Sequence, residues 1–133
     1  MKVRLLPFLA VALFAIQSSA FGEPQVKQDS KGIPIEVSNL DQGGNVSCQR
    51  TEFLGQVAAR DFAKNAMDLT GITLEDADGV RTFINVEVWP NLRGAFGANL
   101  ASALQKLSKV GRNVAVQAYV CGTGRVIVLD EIR

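Results

Sequence analysis

The sequence predicts an all-β domain of five strands with one helix between strands three and four. Three observations indicate this class. Five runs of residues have the apolar content or the alternation typical of strands, one stretch near residues 96–107 has helical spacing, and turn residues such as Asp78-Gly79 separate the runs. The chain has 133 residues, which is long enough for one small domain with a single core even without the N-terminal segment described next.

The first twenty residues have the features of a secretory signal peptide. Lys2 and Arg4 give a positive start, an apolar run follows over residues 5–16, and Ser18-Ser19-Ala20 supplies small residues for cleavage. A membrane anchor is the alternative reading, but this apolar run is too short for a hydrocarbon core of about 30 Å. We therefore expect a mature protein that begins near Phe21, has no membrane anchor and is secreted or periplasmic.

Residues 21–47 are predicted to form a flexible N-terminal extension. They are rich in glutamine, aspartate, serine and glycine, and they include the stretches DSKG and DQGG. The run IPIEV at Ile33–Val37 leaves open whether the extension adds an edge strand. The compact barrel domain is expected to span residues 48–133.

The first three predicted strands precede the helix. The first lies at about residues 53–62 and is rich in alanine, the second spans Gly71–Glu75, and the third spans Arg81–Trp89. Pro90 ends the third because proline cannot donate to a strand ladder, and Gly79 in the preceding turn is free to adopt a positive φ. Alternation places the following side chains inward: Ile72, Leu74, Ile84, Val86 and Val88. It places the following outward: Thr73, Glu75, Phe83, Asn85, Glu87 and Trp89.

The helix and two further strands complete the pattern. Gly111 is positioned to stop the helix, the fourth strand spans Asn113–Cys121, and the fifth spans Arg125–Ile132. The fifth run is so apolar in its middle that its inward face stays open. The helix has one apolar stripe that is expected to plug the core: Phe96, Leu100, Ala103, Leu104 and Leu107.

The two cysteines, Cys48 and Cys121, favour a disulfide, because an even cysteine count in a secreted chain normally indicates a bridge. Two free thiols and a metal-binding pair are the alternatives. A metal site would lack ligands, since the chain has no histidine and no further cysteine.

Several motifs resemble a known family. The turn LEDADG, the run INVEVWP and the later runs GRNVAVQAYV and GRVIVLDEIR resemble the OB-fold module of bacterial replicative polymerase alpha subunits and of some tRNA synthetase anticodon-binding domains. The resemblance covers residues 55–133 and implies a five-stranded Greek-key barrel with a helix between strands three and four. Strand one then runs antiparallel to strand four, which places Cys48 beside Cys121.

The resemblance also implies a ligand, single-stranded nucleic acid, on the outer face of strands two and three, where such modules use stacking aromatics and basic side chains. Trp89 has an alternative role in closing the barrel end against the helix, and Phe83 has one in contacting the extension. The candidate ligand-binding residues are Phe83, Trp89, Arg81, Arg60, Lys64, Tyr119 and Arg125. Acidic residues lie among them: Glu75, Asp76, Asp78 and Glu87.

Charge limits the choice of partner. The chain has 14 basic and 13 acidic residues, and removal of Lys2 and Arg4 with the leader leaves 12 and 13, a formal charge of −1. Such a balance gives no general attraction to nucleic acid or to anionic membranes. An oligosaccharide, a peptide or an envelope protein is therefore the alternative partner. A basic face would favour nucleic acid, a neutral aromatic face a sugar, and an apolar face a protein.

Catalysis has little support in the sequence. There is no histidine to act as a general base, and no serine, cysteine or lysine lies in a recognisable nucleophile motif. We therefore expect a binding module that is not an enzyme and that uses no cofactor and no metal ion.

Overall fold

A computed structural model of the chain describes residues 23–41, 47–88 and 94–133. The predicted signal peptide and Trp89-Pro90 lie outside the described residues. The elements in chain order are β1 (Gln25–Gln28), β2 (Pro34–Ser38), β3 (Gln49–Phe62), β4 (Leu69–Glu75), β5 (Arg81–Asn85), α1 (Gly94–Leu107), β6 (Asn113–Cys121) and β7 (Val126–Ile132).

Five of the strands form a closed barrel. The strands β7, β5, β4, β3 and β6 are hydrogen-bonded in that order, and β6 pairs with β7 to close the ring. Neighbouring strands are antiparallel except for β5 and β7, which are parallel where Asn85 lies opposite Val128. A mostly β structure with a closed five-stranded barrel and one helix is consistent with an OB-like barrel.

The helix follows the fifth strand of the chain, so its predicted place between strands three and four is wrong in chain order. The predicted strand one is the first barrel strand, which is β3 in the structure. Two further strands, β1 and β2, precede the barrel and pair with each other as a hairpin. The sequence QVKQ of β1 contains one apolar residue and therefore gives no clear strand signal. β2 includes most of the IPIEV run and joins the barrel where Val37 lies opposite Ile132.

The domain boundary at residue 48 stays a prediction. In the structure, Val37 and Leu40, which precede that boundary, are buried in the same apolar core as the barrel strands.

The strand bounds show what alternation can and cannot predict. β6 has the bounds that the sequence predicts, whereas β5 ends at Asn85 and not at Trp89. Val86 and Val88 are still buried and Glu87 is exposed, so the alternation of burial continues for three residues beyond the ladder. A periodic pattern reports which side chains face the core, and pairing with a neighbouring strand is a separate condition.

The apolar core contains residues of the barrel strands, of α1 and of the segment that precedes β3. All inward residues predicted for the second and third strands are buried, and so are Leu100, Ala103, Leu104 and Leu107 of α1. Phe96 is the exception, because it is 39% exposed although the helical stripe predicted it inside. It lies in the first turns of α1, beside the β1–β2 hairpin and outside the apolar core.

The predicted disulfide joins Cys48 to Cys121, with 4.7 Å between the Cα atoms. The first half of β3 is antiparallel to β6, and Gln49 lies opposite Val120 at the end of this ladder. The bridge therefore joins the start of β3 to the end of β6, as the strand order implies.

The presence of a disulfide indicates a non-reducing compartment. Within the described ranges, no helix is long and apolar enough to cross a membrane.

Candidate functional site

The outer surface of β3, β4 and β5 forms a grid in which three cross-strand rows can be read from the strand register. The middle row runs from Ala59 through Thr73 to Phe83. We call this surface the Phe83 face, and its outward residues are Gln56, Ala59, Asp61, Gly71, Thr73, Glu75, Arg81, Phe83 and Asn85. The inward neighbours Ile72, Leu74 and Ile84 are buried, which confirms the alternation predicted for these two strands.

Phe83 is a large apolar side chain at the β5 end of the middle row of this face. It is 45% exposed, and its ring lies over Gly71, the next residue along the outer side of β4. A Cβ atom on Gly71 would lie 2.7 Å from Cε1 of Phe83, closer than such atoms approach each other. The Cζ–Cε1 edge of the ring therefore packs against Gly71, in a contact that a side chain at this position would obstruct.

The charges of the Phe83 face do not make it basic. Nε of Arg81 donates to Oε1 of Glu75 at 2.8 Å, so the arginine is already paired within its own row. Asp61 adds a second carboxylate on the row that contains Gly71. One arginine and two carboxylates leave a formal charge of −1 on the face.

The side-chain amides of Gln56 and Asn85 lie on the face, and the nitrogen of each already donates a hydrogen bond. Nδ2 of Asn85 donates to the carbonyl of Ile127 at 3.1 Å, and Nε2 of Gln56 donates to the carbonyl of Gly111 at 2.9 Å. These hydrogen bonds orient both side chains and leave their carbonyl oxygens as acceptors. Thr73 adds a hydroxyl group beside Phe83.

A cavity of about 480 Å³ adjoins the face at the β4–β5 turn. Gln56 and Glu75 belong both to its lining and to the Phe83 face, so the two surfaces are continuous. Its volume is within the range of small-molecule sites, about 300–1,000 Å³. Its lining residues are Leu54, Gly55, Gln56, Glu75, Asp76, Ala77, Asn113 and Val114.

The β4–β5 turn itself is held by a carboxylate. Oδ1 of Asp76 accepts hydrogen bonds from the backbone N–H groups of Asp78 and Val80, each at 2.9 Å. Gly79 has φ +80°, the positive value that the sequence predicts. The acidic turn is therefore a rigid hairpin connection at the edge of the cavity.

The structure brings two of the predicted ligand-binding residues together, Phe83 and Arg81, on adjacent rows of one face. Arg60 lies elsewhere. It is opposite the buried Ile72 in the register, so its side chain leaves the other surface of the sheet, where Nη1 donates to the carbonyl of Gln105 at 3.2 Å. The guanidinium carbon is 5.1 Å from the centre of the Phe62 ring, so a packing role explains this arginine.

The other predicted residues are dispersed. Lys64 is exposed in the turn that joins β3 to β4, and Arg125 is exposed in the turn that joins β6 to β7. Tyr119 is on the outer side of β6, opposite Arg50, and β3 separates β6 from β4. Trp89 lies outside the described residues, so its predicted stacking role stays a prediction.

Sequence reasoning missed Gly71, Gln56 and the cavity. Alternation alone had already placed Thr73 and Asn85 outward, so the polar part of the face was within reach of the pattern. Gly71 appeared as the first residue of a strand, and only the cross-strand register shows that its missing side chain is where Phe83 rests.

A polar network covers the opposite side of the barrel, on the outer surfaces of β3, β6 and β7. Nη2 of Arg50 is 3.0 Å from Oδ2 of Asp130, and Nη1 donates to Oε1 of Gln117. Burial lowers the pKa of Arg50, but the hydrogen bond to Asp130 and the nearby negative charges raise it by more, so the pKa lies above its ordinary value. The second oxygen of Asp130 accepts from the N–H of Asp41 at 3.2 Å. These groups satisfy one another, which is typical of a structural network.

Within the part of the chain that the structure describes, no group of three or more His, Cys, Asp or Glu residues could hold a metal ion. The expectation that the chain is not an enzyme stays a prediction.

Comparison with known protein families, with curated proteins and with solved structures finds no match to this chain. The class of the protein therefore rests on the geometry of its described residues, which form a closed five-stranded β-barrel with one helix, a disulfide and an exposed aromatic residue. The nucleic-acid-binding type of OB-fold that the sequence resembles has no support from a relative.

Proposed function

We propose that this chain is a secreted or periplasmic binding module, without catalytic activity, that holds an oligosaccharide across the Phe83 face. The observation that supports it best is an exposed aromatic ring on a polar surface whose charges sum to −1. The disulfide supports the compartment, because such bonds persist outside reducing cytosol.

An aromatic ring with a free face suits a sugar. The ring face has a partial negative charge and attracts the C–H groups on the flat side of a pyranose, while its area is removed from water. Phe83 offers such a surface, because its side chain is 45% exposed while the Cζ–Cε1 edge of the ring packs against Gly71. Barrels of the OB type bind oligosaccharides as well as oligonucleotides on this kind of surface.

The hydrogen-bonding groups of the Phe83 face also suit a sugar. Asn85 and Gln56 offer amide oxygens that are held in place by their second hydrogen bonds, and Thr73 offers a hydroxyl. Sugar hydroxyls donate to such acceptors, and groups held in advance lose less conformational entropy on binding. The adjoining cavity of about 480 Å³ has room for a further residue of the chain.

Single-stranded nucleic acid fits the same face less well. The stacking platform is present, but phosphate binding requires unpaired cations along the strand. Arg81 is paired with Glu75, and Arg60 leaves the other side of the sheet. A ligand with a phosphate at every residue would therefore meet a slightly acidic surface.

The experiment measures binding of neutral glycans and of a single-stranded DNA oligomer to the exported, purified protein at several salt concentrations. We expect a neutral glycan to bind with almost no salt dependence. Phe83→Ala should reduce that affinity about tenfold, close to 1.4 kcal/mol, because the stacking surface is lost. Gly71→Ala should also reduce the affinity, because the added methyl group would displace the Phe83 ring while the ring itself stays unchanged.

Val126→Ala is the matched control, since Val126 is 44% exposed on β7 and lies outside the Phe83 face. It should leave the affinity unchanged. Tight DNA binding whose salt slope falls by close to one unit in Arg81→Ala would instead favour nucleic acid and overturn the sugar proposal. If Phe83→Ala changes the affinity of no bound ligand, the Phe83 face is not the site.

A further inference from the structure

A second cleft lies between the β1–β2 hairpin and α1. Its volume is about 390 Å³, which is within the range of ligand sites. None of its lining residues belongs to the Phe83 face. The lining residues are Val26, Gln28, Gly32, Pro34, Phe96, Asn99, Ser102, Ala103 and Lys106.

The helical side of the cleft is one continuous stripe. Phe96, Asn99, Ala103 and Lys106 follow one another at spacings of three, four and three residues, which places them on one face of α1. Ten residues of helix rise about 15 Å. An extended peptide covers that distance with about five residues, so the stripe matches the length of a short strand.

The polar side chains of the cleft have no hydrogen-bond partner within the described part of the chain. Among the described residues, nothing accepts from or donates to the side chains of Gln28, Asn99, Ser102 and Lys106. Lys106 is the charged member of this lining, and no carboxylate accompanies it there. The exposed Phe96 ring and the half-buried Val26 supply the apolar part of the same surface. The cleft therefore complements a ligand with one apolar group and one negative charge.

The strand side of the cleft is formed by residues of the hairpin, Val26 and Gln28 of β1 and Pro34 of β2, and β1 is also an edge strand. β1 is terminal in the strand order and, in the described part of the chain, pairs with β2 alone. One edge of Gln25–Gln28 thus presents backbone N–H and C=O groups to whatever lies beside it. Extended peptides bind such edges by adding a strand, with alternate side chains directed to one face of the sheet.

We propose that the β1 edge and this cleft together bind an extended peptide segment of a partner protein. The peptide adds a strand beside β1, places an apolar side chain against Phe96 and Val26, and brings a glutamate or aspartate side chain to Lys106. The helix stripe sets the length at about five residues. This site is independent of the oligosaccharide proposal, since it shares no residue with the Phe83 face.

The test begins with selection of peptides from a displayed library of random heptamers against the purified protein. We expect the selected peptides to share an apolar residue followed or preceded, at an even spacing, by an acidic one. Amide chemical shifts of Gln25–Gln28 and of Asn99–Lys106 should then change when a selected peptide is added, while those of Thr73 and Phe83 should not.

Variants separate the parts of the site. Lys106→Ala should weaken a selected peptide about fivefold, the effect of about 1 kcal/mol expected for one ion pair, and Phe96→Ala should weaken it further. Lys109→Ala is the matched control, because Lys109 is exposed just beyond α1 and does not line the cleft. Replacing the glutamate or aspartate of the peptide by its amide should reproduce the loss seen in Lys106→Ala and add nothing to it.

Backbone pairing is tested on the peptide alone. A selected peptide with N-methyl groups on alternate residues cannot complete a ladder, so in one of the two registers its binding to the β1 edge should be lost. Enrichment of no peptide, equal binding by both N-methylated registers, or equal binding by Lys106→Ala and the original protein would each overturn the proposal.

Discussion

Two arginine–carboxylate pairs on this barrel differ in burial, and the difference decides what each contributes. The Arg50–Asp130 pair has side chains that are 41% and 11% exposed, and both oxygens of Asp130 accept hydrogen bonds. The Arg81–Glu75 pair has side chains that are 64% and 39% exposed. Water screens the second pair and competes for its hydrogen bonds, while the carboxylate of the first is largely removed from water.

We expect Arg50→Ala to lower the free energy of unfolding by about 1–3 kcal/mol, because it leaves the Asp130 carboxylate without its main donors. Arg81→Ala is the matched control and should cost only about 0–1 kcal/mol. Urea unfolding of both variants measures the difference. Equal losses would show that burial of Asp130 does not govern the contribution.

The effect of Arg50 should not vary with pH near neutrality. Its pKa is raised in the folded state, so its stabilising contribution is complete at any pH below the pKa of an unfolded arginine. The contribution is lost only when the pH rises through the raised pKa. The stability difference between Arg50→Ala and the original protein should therefore be constant from about pH 6 to pH 9 as far as the arginine is concerned, since arginine titrates far above this range.

At the scale of elements, the N-terminal hairpin contacts the barrel core through β2 and the residue Leu40 that follows it. β2 does not alternate strictly: Val37 is fully buried, whereas Ile35, two residues earlier, is 41% exposed. The register shift between Lys27 and Gln28 of β1 lies opposite Ile35 and breaks the period of two. Leu40 follows in the core, and its N–H donates to the carbonyl of Asp130 at 2.9 Å. The hairpin is thus attached to the core through a few apolar residues, although the segment as a whole has a polar composition.

Val37→Ala should destabilise the protein by roughly 2 kcal/mol, since it removes two buried carbons and leaves a cavity. Ile35→Ala changes an exposed residue of the same strand and should cost less than about 0.5 kcal/mol. Thermal or urea unfolding of the two variants provides the comparison. If Val37→Ala proves as mild as Ile35→Ala, the hairpin does not share the core of the barrel.

At the scale of the whole molecule, the disulfide and the β3–β6 ladder close the barrel at the same place. The bridge spans 73 residues of sequence and joins the two strands where their pairing begins and ends. In the chain-entropy model a loop of that length contributes about 4 kcal/mol, because the unfolded chain loses many conformations. For a domain of this size that is a large share of a typical net stability of about 5–15 kcal/mol.

The double variant Cys48→Ser/Cys121→Ser should lose about 4 kcal/mol of unfolding free energy. Chemical denaturation with and without a thiol reductant gives the measurement. The reductant should bring the original protein to the stability of the variant and leave the variant unchanged. Identical midpoints for the oxidised protein and the variant would contradict a stabilising role for the bridge.

Much of the barrel is readable from local patterns. The bounds of β6 and the Asp78-Gly79 turn follow directly from alternation and turn chemistry, because each depends on neighbouring residues. β3 was harder to predict: register shifts between Val57 and Ala59 and between Asp61 and Phe62 break the period of two. Such bulges bend a long strand so that its two halves pair with different neighbours. Arg60 shows the effect on the prediction, because the shift between Val57 and Ala59 places its side chain on the opposite side of the sheet from Phe83.

Residue type and spacing along the chain are enough to predict a small β-rich domain with a helix, a core of alternating aliphatic residues and a pair of cysteines suited to a bridge. Three features of the sites could not be predicted in this way. Phe83 packs against Gly71, Arg81 is paired with Glu75, and Phe96 lies in a cleft beside the hairpin and not in the core. Each of these depends on cross-strand register or on packing between distant segments, and one residue of register shift reverses the face that a strand side chain occupies.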